Sequence, residues 1–179
     1  GKPYISVKSA TTKAAKAPGQ TVSNAEEATT QFEYDGFGQV VKTIDARNNA
    51  SYAYYDQAGR VKATVDAEAY VTTTAYTAFS EVASVARLAN KATAASVSAY
   101  AVATNSAGDA VTSFTYDKLS RVTKTTDALG GTVEALYNGF GEAVRTKDAR
   151  GHFVYSWYDK LGRVTHQVDQ ENYLTRTSY

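Results

Sequence analysis

Tyrosine recurs every 21 residues along most of this chain. Tyr34, Tyr55 and Tyr76 are spaced by 21, and so are Tyr116, Tyr137, Tyr158 and Tyr179. The one gap, Tyr76 to Tyr116, is 40, which reads as one full repeat plus one shortened by two. Seven of the 14 tyrosines fall on this period, too many for coincidence. A fixed period of this length marks an architecture that stacks one supersecondary unit on the next, so it constrains the fold before any other feature does.

Each period holds two turn signatures. The first follows the tyrosine: Asp35 to Gly38 (DGFG), Asp56 to Gly59 (DQAG), Asp117 to Ser120 (DKLS), Asn138 to Gly141 (NGFG) and Asp159 to Gly162 (DKLG). The second lies ten residues further on: Asp45 to Asn48 (DARN), Asp66 to Ala69 (DAEA), Asp127 to Gly130 (DALG), Asp148 to Gly151 (DARG) and Asp169 to Asn172 (DQEN). Nine of the ten aspartates belong to these sets, and Asp109 is the exception. An aspartate at the head of a turn accepts a hydrogen bond from the N–H two residues on, and Gly or Asn in fourth place tolerates the left-handed conformation that closes it. Turns spaced by 10 and 11 residues leave room for strands of about six.

The intervening residues suit strands. Val40 to Ile44, Val61 to Val65 and Val122 to Thr126 are rich in β-branched side chains, and the returning segments that end in Tyr34, Tyr55, Tyr116 and Tyr158 are aromatic and Thr-rich. No segment carries a 3.6-residue period with caps. Short strands with tight turns and no crossover-length connections predict an all-β chain of consecutive antiparallel β-hairpins forming a curved strip or shell segment. Phe153 to Asp169 is the cleanest copy of the unit. Residues 1–23 read as a degraded repeat or linker, with a strand over Pro3 to Val7 and a turn at Pro18-Gly19. Residues 24–90 read as repeats that open on a turn at Asn24 to Glu27. Residues 91–110, Ala- and Ser-rich, read as a degenerate repeat or a loop, and 111–179 as repeats again. The chain begins at Gly1, contains no methionine and stops at Tyr179 in mid-motif, so it is expected to be a segment of something longer.

The motifs Tyr-Asp-Lys-Leu-Gly-Arg-Val (158–164), Tyr-Asp-Gln-Ala-Gly-Arg-Val (55–61) and Tyr-Asp-Gly-Phe-Gly-Gln-Val (34–40), each with an Asp five residues on, resemble the YD repeat of RHS proteins. That group includes the B and C subunits of Tc toxins, bacterial polymorphic toxins and the animal teneurins. The resemblance covers roughly residues 24–179. Its motif residues here are Tyr34, Asp35, Gly38, Tyr55, Asp56, Gly59, Arg60, Tyr116, Asp117, Arg121, Tyr137, Gly141, Tyr158, Asp159, Gly162 and Arg163. It implies a strip of hairpins wound into a hollow shell, which in the toxins encloses a C-terminal effector, on a secreted or cell-surface protein that uses bacterial toxin export. The partners implied are the rest of the shell and the enclosed effector. The unit at Tyr76 departs from the pattern, with Thr77, Ser80 and Glu81 for Asp, Gly and Arg. The family's Asp-Pro-x-Gly core, which acts in toxins as an autoprotease, has no match.

Composition and spacing exclude several chemistries. Nineteen basic residues against 18 acidic ones leave no cationic excess for nucleic acid. No apolar run approaches the ~18 residues that span a bilayer. There is no cysteine, hence no disulfide or thiolate. Aspartates on every second strand stand ~10 Å apart, too far to share a proton or a calcium ion. Gly36-Phe37-Gly38 and Gly139-Phe140-Gly141 precede strands, whereas a phosphate cradle precedes a helix. His166 sits where other repeats have Lys42, Ala63, Lys124 and Arg145, a pattern of a solvated face, and neither it nor His152 has a nucleophile the sequence picks out. No catalytic residue, metal site or cofactor is assigned, and the chain reads as non-enzymatic. The third turn residues (Phe37, Leu119, Phe140, Leu161) are expected to pack over the sheet edge, and Arg60, Arg121 and Arg163 to lie near the tyrosine that precedes them. Trp157 and Tyr155 are the candidate contacts for a cell-surface glycan or a partner protein, against a reading as ordinary cross-strand pairs. Some sixteen strands exceed the ~10 of an ordinary open sheet, and unpaired end strands invite self-association.

Overall fold

The structure, a computed structural model, describes residues 7–12, 28–105 and 107–179. The expected strand over Pro3 to Ser6 and the turns at Pro18-Gly19 and Asn24 to Glu27 lie outside the described residues. Sixteen strands and no helix occur among those described. Two compact units are present: one runs up to Thr74 and resumes over Arg87–Asp109, and the other holds Ala75–Ala86 and Ala110–Tyr179.

In the first unit β1 (Val7–Thr12), β2 (Ala28–Tyr34), β3 (Val40–Ile44), β4 (Ala50–Tyr55), β5 (Val61–Val65) and β6 (Val71–Tyr76) pair in chain order. In the second, β7 (Val82–Arg87) is hydrogen-bonded to β10 (Ala110–Tyr116), skipping β8 (Ala92–Ala95) and β9 (Tyr100–Val102). The ladder then continues through β11 (Val122–Thr126), β12 (Thr132–Tyr137), β13 (Ala143–Lys147), β14 (Phe153–Tyr158), β15 (Val164–Val168) and β16 (Leu174–Arg176). The neighbours from β1 to β6 and from β10 to β16 are antiparallel, for instance Tyr54 opposite Ala63 and Trp157 opposite His166. The all-β chain of consecutive hairpins is what the period predicted.

The turns take the form their residues dictate. In the turn at Asp35 the Asp35 N–H donates to the Gln39 carbonyl at 2.9 Å and the Gly38 N–H donates back to the Asp35 carbonyl at 3.1 Å. The Asp35 Oδ1 accepts both the Phe37 and the Gln39 N–H, each at 2.9 Å. The same scheme holds in the turn headed by Thr77, where the hydroxyl replaces the carboxylate and both distances lengthen to 3.2 Å. The fourth residue is left-handed throughout, including Ser80 (φ 69°) and Ser120 (φ 59°), which lack the freedom of the glycine at Gly162 (φ 75°). The hydrogen bonds to the head residue therefore hold the turn even where the closing residue is unfavourable.

β8 and β9 pair with each other as a separate two-stranded sheet and lie on the face formed by β4 to β6. The Tyr54 hydroxyl donates to the Ser96 carbonyl at 2.8 Å, and the ring meets Tyr100 at 4.9 Å between centroids. Asp109, the aspartate outside both turn sets, accepts the Ala89 N–H at 2.8 Å and closes the neck of this excursion. Small alanine side chains in these strands allow the close approach. Val65 and Val71 are fully buried there, with Tyr54 and Ala63 beside them. Ala63 thus sits under the hairpin, which corrects its assignment to a solvated face. Among the described residues the buried hydrophobic side chains all belong to the first unit, and in the second only Ser156 is buried. The second unit is a single sheet without a core of its own.

Candidate functional site

The first-turn edge is built from three groups per repeat. A register shift falls between Trp157 and Tyr158, between Leu136 and Tyr137 and between Tyr54 and Tyr55, so each of these tyrosines stands at a bulge beside its turn. From there its hydroxyl reaches the previous hairpin. Tyr55 donates to the Val40 carbonyl at 2.9 Å, Tyr137 to Val122 at 3.1 Å, Tyr158 to Ala143 at 2.9 Å and Tyr179 to Val164 at 3.2 Å, each 15 residues back. Tyr116 makes the same bond to Val82 across 34 residues, nineteen more, because the β8–β9 excursion intervenes. Tyr34 ends β2 in the equivalent place.

The arginines pair with the head of their own turn and stack on the next repeat. The Nε atoms of Arg60, Arg121 and Arg163 donate to the Oδ2 of Asp56, Asp117 and Asp159 at 2.8, 2.7 and 2.8 Å. The Arg121 guanidinium lies 4.6 Å from the centroid of Tyr137, and that of Arg163 lies 4.3 Å from Tyr179. The expectation that these arginines approach the preceding tyrosine is corrected: strand direction carries the side chain toward the following hairpin. Where glutamate replaces arginine the polarity is reversed. Asn138 Nδ2 donates to Glu142 at 2.6 Å, and the Thr77 hydroxyl donates to Glu81 at 3.0 Å. A neutral donor therefore heads the turn wherever the fifth residue is acidic, which avoids two carboxylates at the same spacing.

The third turn residues do not pack over the edge. Phe37 and Phe140 are 92% exposed, Leu161 77% and Leu119 69%. The turn bonds aim the third side chain away from the sheet, and open clefts form between successive turns. Those walled by Phe37 and Tyr55, by Phe79 and Tyr116, and by Phe140 and Tyr158 measure about 600, 570 and 720 Å³. A cleft that recurs with the repeat is a feature of construction, and its aspartates are already engaged in their turns.

Asp45, Asp56, Asp117, Asp148 and Asp159 are held below their ordinary value of 3.8. The cause is foremost the Arg60 and Arg121 side-chain hydrogen bonds for Asp56 and Asp117, and the Arg163 and His152 backbone N–H groups for Asp159 and Asp148. For Asp45 it is foremost the Asn49 side-chain amide. Lowered folded values give stabilisation that is complete above the unfolded value and is lost as pH falls through the folded ones. On the alkaline side, burial raises Tyr54 and Tyr55 above 10.0, and the hydrogen bond to Glu33 raises Lys42 above 10.5, so their contribution is lost as pH rises past those values. The urea midpoint, followed by circular dichroism, is expected to fall below about pH 4 and again above about pH 10. A midpoint that rises on acidification would contradict this account.

Trp157 and Tyr155 point to one face of β14, with Phe153, as alternate residues of a strand must. They are 50%, 39% and 36% exposed. Across the strands, Trp157 faces His166, Tyr155 faces Arg145 and Val168, and Phe153 faces Lys147. Sequence reasoning singled out the two aromatics but missed the cations opposite them, because strand partners depend on register and the register includes a bulge. Among the described residues no three His, Asp or Glu side chains converge as metal ligands.

No protein-family model matches the chain, and the curated proteins give no significant match. Solved structures do match. The crystal structure of TcdB2-TccC3-Cdc42 aligns with a TM-score of 0.60 over 90% of this chain, at 12% identity. The chain has that fold. It spans only 8% of the length of that partner chain. The Photorhabdus luminescens Tc holotoxin pore aligns over 95% of this chain and 11% of its own, at 12% identity and a TM-score of 0.49.

Proposed function

We propose that this chain is a wall segment of an RHS/YD-repeat shell that encloses a C-terminal effector of a secreted toxin, and that the segment itself is non-catalytic. The observation that carries this reading is the combination of a strictly repeated edge with a second unit that has no core. The polar side chains of the edge are engaged in the hairpins themselves: aspartates cap turns, Tyr55, Tyr116, Tyr137, Tyr158 and Tyr179 bond backwards, and Arg121 and Arg163 stack forwards. A single uncored sheet separates two sides, which suits a wall. The resemblance of the motifs and the shared fold support it.

The test uses the full reading frame that contains residues 1–179. Limited proteolysis of the folded protein is expected to spare a segment downstream of the repeats, which becomes cleavable once the repeats are unfolded in urea. A downstream segment cut equally fast before and after unfolding, or the absence of any downstream segment, would defeat the proposal.

A second reading is favoured by one observation, the exposed row of Phe153, Tyr155 and Trp157 on a single face. It makes the segment a binding module for a cell-surface carbohydrate or a partner protein. Binding of the purified chain to a glycan array, lost in Trp157→Ala, would support the carbohydrate form, and no binding at millimolar sugar would remove it.

A further inference from the structure

The face that carries Trp157 has an occupied counterpart in the same chain. Trp157 and Tyr155 stand in their repeat where Tyr54 and Tyr52 stand in theirs, and Val168 and Leu174 where Val65 and Val71 stand. The registers confirm the equivalence: Tyr54 lies opposite Ala63 as Trp157 lies opposite His166, and Val65 opposite Val71 as Val168 opposite Leu174. In the first unit a polypeptide hairpin covers this face and leaves Tyr54 at 6% and Val71 at 0% exposure. In the second, Trp157 is 50% and Leu174 52% exposed.

The chemistry of contact is also carried over. Tyr54 donates its hydroxyl proton to two main-chain carbonyls of the covering hairpin, those of Ser96 and Ala99, at 2.8 and 3.2 Å. The indole of Trp157 offers a donor and no acceptor in the same place, so it too calls for a carbonyl or carboxylate oxygen. What differs is charge. Ile44 of the first unit is replaced by Lys147 and Thr73 by Arg176, while Arg145 keeps the positive charge of Lys42. The register places Lys124 on the same face, through Glu134 opposite both Lys124 and Lys147. Glu134 is the single carboxylate among these cations, and Lys147 lies 3.6 Å from it. The Arg145 and Lys147 cationic groups stand 5.4 and 5.9 Å from the Phe153 ring, so cation and aromatic form one surface.

We infer that this face of the second unit docks an extended acidic segment of polypeptide, laid on the sheet as the β8–β9 hairpin is laid on the first unit. The inference deepens the second reading above and is independent of the shell. Apolar side chains of the segment meet Trp157, Tyr155 and Leu174, and carboxylates meet Arg145, Lys124 and Arg176. Polypeptide is favoured over nucleic acid because the occupant of the equivalent face in the first unit is polypeptide.

Trp157 is the only tryptophan, so its fluorescence reports on this face alone. A twelve-residue peptide alternating Glu and Val is titrated into the intact chain. The expected result is a saturable blue shift, weakened about tenfold or more when Gln replaces Glu in the peptide, when Arg145→Glu and Lys147→Glu are combined, and when salt is raised. Circular dichroism checks the folding of the double variant. If it is unfolded, Arg176→Glu, on an exposed strand, takes its place. No shift at millimolar peptide, equal binding of the Gln peptide, or tighter binding of an oligothymidylate or of a neutral glycan would each overturn the proposal. Because proteolytic protection of a downstream segment is read separately, its outcome does not depend on this one.

Discussion

Tyr54→Ala is expected to cost about 3–5 kcal/mol of stability, the range for truncating a large buried aromatic. Tyr54 is 6% exposed, lies 4.9 Å from the ring of Tyr100 and gives its hydroxyl proton to the hairpin turn at Ser96 and Ala99. It is the one side chain that both fills the space beneath the hairpin and bonds to it. Removing it leaves a hole against Ala63 and Val65 and releases the hairpin, whose own strands are four and three residues long. So short a pair has little stability in isolation. Tyr54→Phe keeps the ring and loses only the hydrogen bonds, for which about 0.5–1.5 kcal/mol is expected. Urea denaturation followed by circular dichroism gives the two values, and proteolysis between Ser96 and Ala99 reports release of the hairpin. If the alanine variant retained the parent midpoint, or if the hairpin stayed resistant to cleavage, the packing role assigned to Tyr54 would be wrong.

Excising the hairpin should change the state of association. Replacing residues 87–109 by Asp-Ala-Leu-Gly, the sequence of the turn at Asp127 to Gly130, removes nineteen residues and restores the 21-residue spacing between Tyr76 and Tyr116. The bond from the Tyr116 hydroxyl to the Val82 carbonyl already has the geometry of its siblings, so the β7–β10 pairing needs no adjustment. The excised chain is therefore expected to keep its strand content. It also uncovers Tyr54, Ala63, Val65 and Val71 at once, and a contiguous apolar patch on a sheet drives association. Light scattering should show oligomers at concentrations where the parent chain does not associate through this face, together with increased binding of a hydrophobic dye. A variant with unchanged mass and dye binding would show that the hairpin shields nothing.

Local chemistry was legible and long-range placement was not. Asp35, Asp56, Asp117 and Asp159 cap turns because an Asx carboxylate and the N–H groups it accepts lie within four residues of each other, so the sequence alone specifies the contact. The period likewise fixed which strands are neighbours. Three matters depended on groups far apart along the chain. The hairpin over Tyr54 rests on contacts 42 and 45 residues away, made by Ala and Ser that carry no periodic signal. The direction in which Arg121 stacks depends on strand polarity at the edge, which its own turn does not reveal. Phe37 and Phe140 were expected to pack because they are apolar, but the turn bonds turn their side chains outward whatever their composition. A gap of 40 where two periods would give 42 was the one visible trace of the excursion.

Tyr55, Tyr116, Tyr137, Tyr158 and Tyr179 each reach back by a single hairpin, and this sets how the chain bears mechanical load. A structure whose ties join only nearest neighbours has no long-range brace. Pulled from the Tyr179 end, it gives way one hairpin at a time, with the loss of one hydroxyl bond at each step and of a stacked arginine at Arg163 and Arg121. The strands under the β8–β9 hairpin are the exception, because Tyr54, Ala63 and Val71 on three successive strands share one cover and must yield together.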